Sequence, residues 1–115
     1  MANAFKNVTV TGNHAADADI DVGSAVASGA THTLIGMTIS NITSGVIAVD
    51  VILENSSSRT HIVKGAPIPS GGSLVTSGGD QKIVLWYHNS NGDQLVVRSN
   101  TLNSTNIVLS YLEST

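Results

Sequence analysis

The stretch "VIAVDVILE", residues 46–54, alternates with a period of two. Ile47, Val49, Val51 and Leu53 fall on one side of an extended chain; Ala48, Asp50, Ile52 and Glu54 fall on the other. Successive side chains of a β-strand point to opposite faces, so this pattern specifies a strand with one buried face. "LIGMTIS" sets Ile35, Met37 and Ile39 against Gly36, Thr38 and Ser40. "QKIVLWYH" sets Ile83, Leu85 and Tyr87 against Val84, Trp86 and His88, and "NIVLSYLE" sets Ile107, Leu109 and Tyr111 against Val108, Ser110 and Leu112. In the last two, both faces are apolar, as in a central strand or one that buries its second face against another subunit. Clusters of Gly, Pro, Asn, Ser and Asp separate the runs, and no segment has a helical period. Strands are expected near 6–11, 17–22, 31–40, 46–54, 60–66, 73–76, 81–88, 93–99 and 106–113. The class predicted is all-β: a single antiparallel β-sandwich over residues 1–115, jelly-roll-like, with about eight or nine short strands. Residues 1–24 are either its first edge strand or an N-terminal arm contacting neighbours.

Several stretches invite a chemical reading. "PIPSGGSLVTSGGDQK" ends a Gly-rich run in Lys82, yet Ile83 stands where a P-loop needs Ser or Thr, and a strand follows where it needs a helix. The glycines are expected to shape turns. Asp17, Asp19 and Asp21 have the opening spacing of a calcium loop, but Val22 and Ser28 stand where its Gly and Glu belong. On a strand these aspartates form a solvated acidic face. His14, His32, His61 and His88 have no ligand spacing between them, and there is no G-x-S-x-G. No catalytic residue, metal site or cofactor is predicted, and the chain is expected not to be an enzyme. Sequons occur at Asn7, Asn41, Asn55 and Asn103, about as often as chance provides.

Charged residues make up 11% of the chain, against about 25% in an average domain. Ser, Thr and Asn account for 36 of the 115 residues. Such a surface loses little when it is covered, which suits a chain packed against neighbours. The five basic residues are scattered and the net charge is −3, so no nucleic-acid partner is expected. There is no cysteine, and no run approaches the roughly 20 apolar residues of a membrane helix. The opening residues lack the apolar stretch of a secretory signal, so a soluble chain made in the cytosol is expected, with no membrane partner.

"HIVKGAPIPSGGSLVTSGGDQKIVLWYHNSNGDQLVVRSN", followed by "NIVLSYLEST", resembles short virion structural proteins of tailed bacteriophages, cyanophages among them. Ile62 to Leu74, Gly78 to Leu85, Gly92 to Val97 and Leu109 to Glu113 carry the likeness, with "MANAFKN" and "TISNITSGVIAVDVIL" in support. Residues 8–30 and the longer turn in "WYHNSNGD" depart from the pattern. The resemblance implies a non-enzymatic β-sandwich built into the virion. The expected function is capsid decoration (cement), as a homotrimer bound to the major capsid protein or other virion proteins. A neck, collar or tail-fibre protein is the alternative; a carbohydrate-binding sandwich is the alternative from another class. Candidate subunit contacts are Phe5, Val8 and Val10 on the arm, and Trp86, Tyr87, His88, Asn89 and Asn91 at the tip.

Overall fold

The computed structural model describes residues 3–55, 58–76, 83–88 and 91–115. Ten strands follow in chain order: β1 (Asn3–Val10), β2 (Ile20–Val22), β3 (Thr31–Asn41), β4 (Ile47–Asn55), β5 (Ser58–Ile68), β6 (Ser73–Thr76), β7 (Val84–His88), β8 (Asn91–Gly92), β9 (Gln94–Ser99) and β10 (Thr105–Ser114). One sheet has the order β1-β10-β3-β7-β8, with β6 also pairing β3; the other is β2-β9-β4-β5. All pairings are antiparallel. The chain therefore doubles back on itself: β1 pairs β10, β2 pairs β9, β3 pairs β6 and β7, and β4 pairs β5. Successive pairs enter alternate sheets, which is the jelly roll.

Between the sheets lies one aliphatic core, because each strand contributes every second residue. Ile47, Val49 and Val51 of β4 meet Leu95 and Val97 of β9 and Ile107 and Leu109 of β10, all buried. On β3 the inward residues are Leu34, Met37 and Ile39, so the period slips by one. Here the expectation needs correction: Ile35 is exposed and Leu34 takes its place. The register shifts between Ser110 and Tyr111, with Gly36 opposite Ser110 and Leu34 opposite Tyr111. Ile35 is the extra residue of a β-bulge.

The first Gly-Gly pair forms a β-turn. The N–H of Gly72 donates to the carbonyl of Pro69 at 2.9 Å, and Gly71 has φ +74°. A positive φ at the third turn position is what glycine permits without strain. The second pair, Gly78–Gly79, lies outside the described residues, as do Lys82 and Asn89. Gly92 answers a different need: a Cβ there would sit 1.8 Å from the carbonyl oxygen of Val26.

Candidate interaction face

The two outer faces of the sandwich differ in chemistry. On the β2-β9-β4-β5 sheet, Asp21, Asp50, Glu54, Arg59, His61 and Arg98 project outward. Asp17 is not on a strand; it has φ +56°, its N–H donates to the carbonyl of Ser99, and its own carbonyl accepts from Arg98. Asp19 meets Arg59 at 2.5 Å and Arg98 at 3.5 Å, and Arg59 also meets Glu54 at 2.8 Å. The Arg59 guanidinium holds the Asp19 carboxyl below its ordinary value. The expected acidic face is thus corrected to a cross-linked ion-pair network. Ile52 and Val96, cross-strand partners on this face, are nonetheless buried. Charged side chains thus dominate this outer face.

The outer face of the β1-β10-β3 sheet, with β6 and β7, is unlike it. The registers place Phe5, Ile35, Val75, Val84, Trp86 and Val108 there, between Asn7, Thr9, Thr33, Thr38, Ser40, Ser73 and Ser110. These six account for six of the ten large hydrophobic residues left exposed among the described residues. Phe5 is 79% exposed, Val75 70% and Trp86 50%. None of the described residues on this face carries a charge. An apolar patch with a polar, uncharged surround is the usual mark of a protein contact.

The candidate contacts divide accordingly. Phe5 and Trp86 point outward at opposite edges of the sheet, towards the same end of it. Val8 and Val10 do not: both face inward and pack on the core, so this part of the arm is the sandwich's first strand. Tyr87 and Asn91 line a shallow cleft with Asp21, Glu54 and Gln94, and His88 pairs with Asn91 across the β7–β8 hairpin. The hairpin hangs on a residue that sequence patterning did not single out. Buried Asp93 accepts from Asn55 Nδ2 at 2.8 Å and from the N–H of Trp86 at 3.2 Å, while its carbonyl accepts from Val26. In the sequence it is marked only by the "GDQ" shared by residues 79–81 and 92–94.

His14, His32 and His61 have structural partners. His14 Nε2 accepts from the N–H of Ser104 at 3.1 Å. Among the described residues no group of three or more His, Cys, Asp and Glu side chains could hold a metal ion. At the end of the β1-β10-β3 sheet, Lys6 Nζ lies 2.7 Å from Glu113 Oε1 and His32 Nε2 lies 2.9 Å from Oε2. The hydrogen bond from Lys6, then that from His32, holds the Glu113 carboxyl below its ordinary value. A carboxyl depressed in the fold contributes stability above the ordinary carboxylate range and loses it as pH falls through the lowered value. Glu113→Gln is therefore expected to be slightly less stable than the natural chain at neutral pH, the gap closing below about pH 4. Urea midpoints of both proteins across pH check this.

Compared with known proteins, the chain matches no protein-family model and no curated protein.

Proposed function

We propose that this chain is a non-enzymatic structural protein of a virion, a decoration (cement) subunit whose uncharged sheet face lies against other particle subunits. The observation that carries this reading is the asymmetry of the sandwich: among the described residues, one outer face carries a network of ion pairs, while the other carries no charge and exposes six large apolar side chains. Covering the second face desolvates no ion, and each apolar Å² removed from water contributes about 25 cal/mol before the costs of association. A brick seated across a joint between two shell subunits opposes their separation, and repetition over the shell multiplies a modest contact. The motif resemblance to phage virion proteins supports the same reading. The carbohydrate-binding alternative needs aromatics gathered in one concave site. Phe5 and Trp86 stand instead on opposite edges of a sheet, with β10 and β3 between them.

Particles that carry this chain test the proposal by quantitative gel and electron-microscopy reconstruction. The expected result is a copy number approaching that of the major capsid protein, with the uncharged face towards the shell. A few copies confined to the neck or tail would transfer the reading to the virion alternative. Absence from purified particles would overturn both.

A further inference from the structure

Among the described residues, the edge strands of the sandwich are not equally protected. In the second sheet, β5 carries Arg59, Lys64 and Pro67, has Gly65 at φ +64°, and its pairing with β4 is broken by register shifts around Val51. β2 is three residues long, and the β7–β8 end of the first sheet is a short hairpin. Charges, proline, bulges and shortness are the devices that stop a sheet edge from pairing with another chain. β1 is neither short nor broken by a proline or a bulge, and it carries a single charge. It runs eight residues in unbroken register with β10, Asn3 opposite Ser114 through Val10 opposite Ile107. Its one charge, Lys6, is bonded to Glu113 on the neighbouring strand. Among the described residues, no strand pairs with its other edge. Asn3 to Asn7 are exposed, and Phe5 stands almost free of the fold.

We infer that β1 pairs antiparallel with β1 of a second copy of this chain, about a twofold axis passing through Asn7. The axis is perpendicular to the sheet, because only that rotation brings the two free edges together antiparallel. Each copy then keeps its faces, and directly opposed residues must share a face. That allows an axis at a residue and forbids one between residues. An axis at Lys6 sets two ammonium groups face to face, which is destabilising. An axis at Phe5 pairs only Asn3 to Asn7 and leaves Val8 to Val10 unpaired. With the axis at Asn7, Ala4 through Val10 all pair: Phe5 lies opposite Thr9, an aromatic on a β-branched residue, and the Lys6 stem lies beside Val8. Each Lys6 is already matched by its own Glu113, so the edge meets its copy without net charge. An isologous contact closes at two copies, so the inferred unit is a dimer rather than the expected trimer. The pairing merges two uncharged faces into one continuous sheet surface. It stands on the unguarded edge, independently of what that surface covers.

Light scattering and disulfide trapping of the full chain test this. The natural chain should run as a dimer. Asn7→Lys, at an exposed position, should make it a monomer at low salt by opposing two like charges across the axis. Asn7→Cys should cross-link readily on mild oxidation, because its two copies face each other, and the absence of any native cysteine keeps the readout clean. Thr9→Cys, which faces Phe5, should not cross-link. A monomer at all concentrations, a trimer, or a dimer indifferent to Asn7→Lys and untrapped by Asn7→Cys would overturn the inference.

Discussion

Val108→Lys is expected to weaken binding to the particle by about thirtyfold or more while leaving the fold intact. Val108 sits on β10 with Thr9 and Thr38 opposite it and is already 48% exposed. A lysine there reaches water in the free protein, so the cost to folding is within about 0.5 kcal/mol. Once the uncharged face is covered, the same ammonium loses its water and meets no partner supplied for it. Leaving a charge uncompensated in an interface costs about 2–5 kcal/mol, and about 1.4 kcal/mol is tenfold in affinity. Co-sedimentation with particles stripped of the chain measures the change. His61→Lys, on the opposite face, is the control and should bind as the natural chain does. Equal binding by Val108→Lys would remove this face from the contact.

The second large effect is on stability. Asn41→Asp should lower it by about 3 kcal/mol or more, a fall in melting temperature of about 10 °C or more for a domain of this size. Asn41 is the last residue of β3, and its buried side chain ties the two sheets together. Nδ2 donates to the carbonyl of Ile68, at the end of β5, at 2.8 Å and to that of Gly45 at 2.7 Å. Oδ1 accepts from the N–H of Thr43 at 2.9 Å and from its hydroxyl at 2.7 Å. Aspartate preserves the shape and replaces two donors with an acceptor, so two carbonyls face a carboxylate without water. Asn41→Ala, which only deletes the bonds, should cost less, about 1–3 kcal/mol. Thermal melts of the three proteins rank them. The same contacts explain why the sequon at Asn41 is no glycan acceptor in the folded protein: its amide nitrogen is already bonded twice.

Much of this architecture was legible in the sequence, because strands with one buried face declare themselves locally. Each of the nine expected stretches overlaps a strand, while the two-residue β8 lies in an Asn-Gly stretch expected to turn. The misplacements share a cause. Ile35 looked inward because alternation was carried unbroken through a bulge, and a bulge depends on how β3 meets β10, far away in sequence. Asp17 and Asp19 looked like strand residues because the arginines that hold them, Arg59 and Arg98, come from β5 and β9. The twofold-apolar runs at 81–88 and 106–113 were read correctly as having a second apolar face. Which face lay open required the strand order, since only the pairing places Val84, Trp86 and Val108 on one surface with Phe5.

That surface is assembled from the two extremes of the fold, since Asn3 lies opposite Ser114 and β3 completes the trio. Closing a loop of such length is entropically slow, and folds dominated by remote pairings form in milliseconds to seconds. The uncharged face therefore exists only once both extremes have met. A chain with either extreme unpaired lacks that face, so docking through it, as proposed above, would select finished molecules over incomplete ones.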